Sequence, residues 1–170
     1  MELNFLTAIS PLDGRYRQKV DELDQYFSEF GLIRYRLMVE VEYFLALCDI
    51  PLPQLRDFRK ENHSVLRSFY EEFSLRDAEK VKEIERTTNH DVKAVEYLLK
   101  EKFFQAGWGR WSEFIHFGLT SQDINNTAIP LSLKDALADI YFPVLFELRE
   151  ILTGFADEWK DIPMLARTHG

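Results

Sequence analysis

The chain has 170 residues, and its 21 Lys and Arg against 29 Asp and Glu give a formal net charge of −8. Hydrophobic residues make up 46% of it, which is enough for a folded core and excludes wholesale disorder. The acidic balance argues against a nucleic-acid interface and against binding to an anionic membrane surface. Only 7 Gly and 6 Pro are present, which favours long helices over many short strands and predicts an all-α fold.

The cysteine content and the hydropathy pattern bear on location. Cys48 is the single cysteine, so no internal disulfide can form and nothing indicates an oxidising compartment. No apolar run approaches the roughly 18 residues of a transmembrane helix. The first residues lack a basic region followed by an apolar one, which is the pattern of a signal peptide. We therefore expect a cytoplasmic protein that does not enter the membrane.

The first half of the chain shows two long helical patterns after a turn at residues 10–14. One runs over 28–49 and is closed by Pro51 and Pro53. The second has apolar residues at three- and four-residue spacings across 53–73.

Two shorter helices are predicted next. Ser74, with Asp77 three residues later, forms an approximate capping box that starts a charged helix. That helix breaks over 86–91, and a further helix carries apolar residues from Val92 to Phe103.

The last third begins a long helical pattern near residues 120–123. Pro130 is expected to start, kink or break that helix, and Pro143 to occupy the first turn of another. The second helix carries an apolar face from Val144 to Trp159. Gly107 and Gly109 interrupt the helices, so we predict a domain boundary near residues 107–111. Because residues 166–170 are polar and turn-like, we expect the chain to be the N-terminal portion of a longer protein.

No metal or cofactor motif is found. A Gly-rich phosphate loop, a His-x-x-x-His pair, a Cys/His metal spacing and a Gly-x-Ser-x-Gly elbow are all missing from the sequence. We therefore expect no metal site and no cofactor, and we look for chemistry in polar clusters that interrupt the helices.

The first cluster is Arg15 and Tyr16, which follow the turn at Asp13–Gly14. A guanidinium binds oxyanions through two hydrogen bonds and the tyrosine adds a hydroxyl, so the pair suits a phosphate. A surface turn with an exposed arginine explains the same residues.

The second cluster is the five polar residues 87–91, between two predicted helices, and it includes Thr88, Asn89, His90 and Asp91. His90 can bind an anion or transfer a proton, and the following helix start offers free N–H groups. These short polar residues also make ordinary helix caps.

The third cluster is Thr120 and Ser121, whose hydroxyls at a helix start suit a carboxylate, or simply cap that helix. Asn125 and Asn126 follow, and either can bond a ligand or a neighbouring helix. The fourth cluster holds His169, which is either a general acid or base in a polar turn or an incidental histidine.

The two other histidines are less informative. His116 lies among apolar residues and is interpreted as a partly buried, hydrogen-bonded core histidine. His63 is predicted on the polar side of a helix.

Together and in this order, the clusters resemble the adenylosuccinate lyase family of bacterial type, within the fumarase/aspartase superfamily. The resemblance runs from about residue 6 to the end of the chain. The segments that carry it are Ser10–Tyr16, Ile84–Tyr97, Phe114–Asn126 and Arg167–Gly170.

The resemblance implies a small helical first domain, here residues 1–110, followed by a long helical bundle that begins within 111–170. That bundle is expected to form a homotetramer, with active sites shared between subunits. It implies β-elimination of fumarate from adenylosuccinate, giving AMP, and from the succinylocarboxamide ribotide of purine biosynthesis. Both substrates are small polyanions, and no cofactor is implied.

The resemblance also assigns roles by position. His169 matches the general acid toward the leaving nitrogen, and Arg15 and Tyr16 match residues at the phosphate end of the substrate. Asn89, His90 and Asp91 match a second binding segment, while Thr120 and Ser121 match the segment that holds the succinyl or fumarate carboxylates. The family's base, a loop serine, lies beyond residue 170, so the 170-residue chain alone is expected to be inactive.

Two alternatives remain open. Another lyase of the superfamily, such as argininosuccinate lyase, acts on a substrate without phosphate, so loss of Arg15 would matter little. In a non-catalytic helical interaction module, alanine at His90 and His169 would change only stability.

Overall fold

The computed structural model describes residues 10–165, and every regular element among them is helical, which confirms the predicted all-α class. The elements in chain order are α1 (Arg17–Val20), a 3-10 turn (Asp21–Leu23), α2 (Asp24–Phe27), α3 (Glu29–Asp49), α4 (Asn62–Glu71), α5 (Leu75–Thr88), α6 (Asp91–Gln105), a 3-10 helix (Gly109–Phe114), α7 (Ser121–Ala136), a π-helical turn (Leu137–Tyr141) and α8 (Phe142–Trp159). No helix in this part of the chain is both long and apolar enough to cross a membrane.

Helix α3 is the central element and matches the predicted helix over 28–49. Ser28 caps it, because its hydroxyl accepts a hydrogen bond from the Gly31 N–H at 3.1 Å. A Cβ at Gly31 would lie 2.8 Å from the carbonyl oxygen of Gln25, so the preceding segment approaches α3 more closely than a larger residue allows.

The prediction of one helical pattern over 53–73 is wrong in its first half. The helix occupies only Asn62–Glu71, and turns fill residues 53–61. Leu55 and Phe58 are nevertheless buried, as their spacing indicated. The Leu55 N–H bonds Leu52 and the Phe58 N–H bonds Leu55, so successive three-residue turns reproduce the spacing of a helix face.

The capping box before α5 is confirmed. The Ser74 hydroxyl accepts from the Asp77 N–H at 3.3 Å, and the Asp77 carboxylate accepts from the Ser74 N–H at 3.0 Å. Both partners satisfy backbone donors that an open helix end leaves free.

We predict that Ser74→Ala lowers the free energy of unfolding by about 1 kcal/mol, the usual contribution of a serine cap. Urea unfolding followed by circular dichroism measures it. Ser64→Ala, whose hydroxyl makes only a 3.5 Å contact to the Glu61 carbonyl oxygen, is the control and should change stability much less. Equal losses in the two variants would contradict the capping role.

The core is aromatic at its centre. The ring of Phe44 on α3 meets those of Phe58 and Phe103 edge-on, with centroids 5.1 and 5.0 Å apart. Trp108 and Trp111 meet Phe58 in the same way, at 5.3 and 5.1 Å. This geometry is favoured because the positive edge of one ring faces the negative face of the next. The connected core runs along the chain from Ile33 to Ile115.

Pro130 does not start or break the helix after residue 120, and a kink there, the third predicted effect, stays a prediction. Helix α7 neither starts nor ends at Pro130 but continues through it to Ala136. Pro130 and Asn126 are both exposed, so the Asn126 carbonyl that loses its helical partner can bond water. Pro143 lies in the first turn of α8, as predicted.

Helices α7 and α8 relate differently to the rest of the fold. Helix α7 packs along α3, and the Tyr35 hydroxyl donates to the Asp135 carboxylate at 2.9 Å across that contact. Helix α8 has no buried residue, although Val144, Leu148 and Phe155 are among its apolar side chains. The predicted division at residue 110 stays a prediction.

Candidate functional site

The loop between α5 and α6 is made of two residues that end one helix and begin the next. Asn89 ends α5 with a positive φ of 51°, a conformation that asparagine adopts more readily than most residues, and its N–H donates to the Glu85 carbonyl at 2.8 Å. The Thr88 hydroxyl lies 3.2 Å from the Ile84 carbonyl oxygen and 3.3 Å from that of His90. The capping role that the sequence allowed for this cluster is therefore real.

His90 is the N-cap of α6 and also faces α7. Its Nδ1 accepts the Lys93 N–H at 3.1 Å, and its Nε2 lies 3.3 Å from the Ser121 hydroxyl. An Nδ1 that accepts this N–H bond carries no proton, which assigns the ring proton to Nε2. The Nε2–H then donates to Ser121, which joins two of the four predicted clusters.

Thr120 and Ser121 begin α7. The Asp123 carboxylate accepts from the Thr120 N–H at 2.7 Å and from its hydroxyl at 2.8 Å. These bonds to Thr120 lower the pKa of Asp123 below its ordinary value. Thr120 is thus the cap, while the Ser121 hydroxyl has its contact with His90 rather than a capping bond of its own.

The starts of α6 and α7 are linked beneath His90 by Arg36 of α3. The guanidinium donates to the Asp91 carboxylate at 2.7 Å and to the Asn125 side-chain oxygen at 2.9 Å. Burial raises the pKa of Asp91, but the Val92 N–H and the Arg36 charge outweigh it and lower that pKa overall. Asn125 therefore bonds a neighbouring helix, one of its two predicted uses.

A second buried link holds the loop that leads into α7. The Nδ1 of His116 lies 2.5 Å from the Glu40 carboxylate, and Glu40 is 0% exposed. His116 has a positive φ of 59°, and the neighbouring Phe117 carbonyl accepts from the Tyr43 hydroxyl at 2.8 Å. Burial raises the pKa of Glu40. The interpretation of His116 as a hydrogen-bonded core histidine is confirmed.

Another buried charged group, Glu96 of α6, lies near the contact between Glu40 and His116. Glu96 is buried and bonds Lys93 at 2.7 Å and Lys100 at 3.1 Å. Burial raises its pKa, but the two lysines outweigh that effect and lower it. Lys93 is therefore engaged within α6.

Sequence reasoning missed Arg36, Glu40 and Tyr43. Their spacing places them on one face of α3, and each contacts a segment that leads into α6 or α7. Charged residues at the buried face of a central helix are an available signal, since such residues are rarely buried unless paired.

The other predicted site residues are placed differently. Arg15 and Tyr16 lie in an exposed turn, with the guanidinium 5.2 Å from the centre of the Tyr16 ring. Within residues 10–165 no hydrogen bond joins either of them to His90, Thr120 or Ser121. His169 lies outside the described residues. His63 is partly buried and stacks on Phe58, with ring centroids 6.0 Å apart, rather than lying on an open polar face.

Comparisons with known proteins agree on one family. A protein-family model described as lyase matches residues 14–170. The chain is 53% identical to the adenylosuccinate lyase of Dictyostelium discoideum over 175 residues. It is 46% identical to that of Haemophilus influenzae and 45% identical to that of Escherichia coli K12, each over 172 residues. Each comparison covers 100% of this chain, which spans 38% of the length of each of these relatives.

Proposed function

Because the chain belongs to this lyase family, we propose that it is the N-terminal part of an adenylosuccinate lyase of purine biosynthesis. The proposed reaction is elimination of fumarate from adenylosuccinate, giving AMP, and from the related succinylocarboxamide ribotide. The observation that carries the proposal is the meeting of His90 and Ser121 at the starts of two long helices, 3.3 Å apart.

The chemistry of that meeting suits the dicarboxylate half of the substrate. The starts of α6 and α7 present backbone N–H groups and the positive ends of helix dipoles. The hydroxyls of Thr120 and Ser121 and the Nε2–H of His90 add neutral donors. Such donors bind a carboxylate and stabilise the charge that develops on it when the adjacent carbon loses its proton.

His90 is proposed to act as a neutral hydrogen-bond donor. The Lys93 N–H bonds Nδ1 and leaves Nε2 as the donor of the ring. The ring therefore keeps its Nε2–H directed toward Ser121 and the substrate. Asn89 and Asp91 hold the ring in place by ending α5 and starting α6.

The remaining roles are proposed from the family resemblance. His169 is the general acid that protonates the departing nitrogen. Arg15 and Tyr16 bind the phosphate end, and they approach the helix starts only when the complete active site is assembled. Thr120 and Ser121 hold the succinyl carboxylates.

Assembly into a homotetramer with shared active sites is part of the proposal. The apolar side chains of α8 are exposed, and an apolar groove of about 550 Å³ runs between α2, α7 and α8. Apolar surface of this extent is typical of a protein interface. The cytoplasmic location stays a prediction.

The test of the function is fumarate release by the complete protein that carries this chain. We expect turnover of adenylosuccinate and of the succinylocarboxamide ribotide, and none of argininosuccinate. Turnover of argininosuccinate alone would select the alternative lyase. No turnover of any of the three would favour the interaction module.

We predict that Ser121→Ala lowers kcat/KM for adenylosuccinate about tenfold or more, because a hydrogen bond to a charged group contributes about 1.5–3 kcal/mol. Steady-state kinetics of the complete enzyme measure it. Ser132→Ala is the control on the same helix, because that hydroxyl bonds only the Ile129 carbonyl at 2.9 Å. Equal losses in the two variants would contradict a substrate contact at Ser121.

A further inference from the structure

We propose that Arg36 is a positioning residue that fixes the start of α6 against the start of α7, so that His90 and Ser121 face a common substrate. The proposal rests on the proposed function for its effect on catalysis. Its structural part, the coupling of the two helix starts, stands on the contacts of Arg36 alone.

The burial of Arg36 indicates a built contact rather than a surface ion pair. Its side chain is only 7% exposed, whereas that of Asp91 is 46% exposed. A buried guanidinium is costly unless its donors are paired, and here Nη2 bonds Asp91 and Nε bonds Asn125. The planar group directs these two bonds along fixed lines, which a lysine cannot do.

The two partners of Arg36 are the residues that orient the candidate donors. Asp91 directly follows His90 and is the first residue of α6. Asn125 lies four residues after Ser121, on the same face of α7 and one turn along. One guanidinium therefore bonds both helix starts, which among the described residues share one direct side-chain hydrogen bond, the 3.3 Å contact of His90 with Ser121.

The charge of Arg36 contributes as well. Asp91 lies beside the position proposed for an anionic substrate, and an unpaired carboxylate there would repel it. The Arg36 contact lowers the pKa of Asp91 and offsets its negative charge at the same time. Loss of Arg36 is therefore expected to weaken substrate binding and to misplace His90.

The test compares three variants of the complete enzyme. Arg36→Met removes both bonds, and Arg36→Lys keeps the charge but not the geometry. Arg67→Met is the control, because Arg67 makes an equally regular pair with Glu42 of the same helix, at 2.8 and 2.9 Å, but joins α3 to α4.

We expect Arg36→Met to lower kcat/KM about 100-fold, in line with the effect of a misplacement of about 1 Å, with a rise in KM and a fall in kcat. Arg36→Lys should fall between Arg36→Met and the wild type. Arg67→Met should change kcat/KM less than about threefold, although its melting temperature also drops. The proposal would be overturned if kcat/KM fell in proportion to the drop in melting temperature, and to the same degree, in the Arg36 and Arg67 variants.

Hydrogen–deuterium exchange tests the structural part independently of activity. In Arg36→Met and Arg36→Lys, exchange should rise in peptides that cover 88–95 and 119–126, whereas in Arg67→Met these peptides should match the wild type. Unchanged exchange at 88–95 and 119–126 in the Arg36 variants would overturn the proposal, whether or not the enzyme is active. If the wild-type protein had no lyase activity but the variants still showed these differences in exchange, only the proposed function would be overturned.

Discussion

Replacing His90 by Asn is expected to lower kcat/KM for adenylosuccinate in the complete enzyme by about 10²–10³-fold while leaving the fold intact. Asparagine is one of the best N-cap residues, so its side chain can take over the bond that His90 accepts from the Lys93 N–H. It is shorter than histidine and leaves the Nε2–H position empty. The variant thus separates the catalytic contact from the cap.

Two measurements check this prediction. Steady-state kinetics give kcat and KM, and urea unfolding gives the stability, which should lie within about 0.5 kcal/mol of the wild type. His90→Ala removes the cap as well. It should lose as much activity as His90→Asn, and its free energy of unfolding should be lower by a further ~1 kcal/mol. Nearly wild-type kinetics in His90→Asn would mean that the residue is only a cap, as the interaction-module alternative holds.

The largest effect on stability is expected at the buried pair of Glu40 and His116. Removal of His116 leaves the Glu40 carboxylate, which is 0% exposed, without its partner. Leaving a buried acceptor without its hydrogen-bond partner costs about 1–3 kcal/mol, and more when that group is charged. His116→Ala should therefore be destabilised by about 3 kcal/mol or more at neutral pH, as measured by urea unfolding.

The pH dependence of that loss follows from the direction of the pKa shift. Burial raises the pKa of Glu40 in the folded state above its ordinary value of 4.5, so the fold favours the neutral carboxyl. Loss of His116 removes an interaction that lowers this pKa, and raises it further. The deficit of His116→Ala should be small near pH 4.5 and grow as the pH rises toward neutrality.

A double variant distinguishes the buried charge from backbone strain at residue 116. Glu40→Gln in the His116→Ala background removes the charge and should recover about 1 kcal/mol or more at neutral pH. The positive φ at residue 116 affects both variants equally. A double variant no more stable than His116→Ala, with a deficit independent of pH, would show that the loss comes from strain or packing.

Local signals in the sequence predicted the helix boundaries well. The Ser74–Asp77 spacing marked the start of α5, and the hydroxyl residues Thr120 and Ser121 marked the start of α7, because such residues cap helices. The apolar spacing over 53–61 wrongly predicted a helix there, because successive three-residue turns bury residues at the same spacing as a helix face. Pro130 does not break α7, and the Asn126 carbonyl that it leaves without a helical partner is exposed and can bond water.

The site divides into a predictable and an unpredictable part. The resemblance assigned both His90 and Ser121 to the active site, although they lie 31 residues apart in the chain, and the structure joins them directly. Arg36 and Glu40 carried no local motif, because their partners lie 55 and 76 residues away. The packing of α3 against α6 and α7 is needed to show that Arg36 pairs with Asp91 and that Glu40 pairs with His116.

The most direct test is a crystal structure of the complete enzyme with bound AMP and fumarate, the products of the proposed reaction. We expect a fumarate carboxylate within hydrogen-bond distance of Thr120 and Ser121, at the start of α7. We also expect His90 beside the fumarate carbon atoms, and Arg36 bonded to Asp91 and Asn125. Fumarate bound away from the starts of both α6 and α7 would contradict the proposed site.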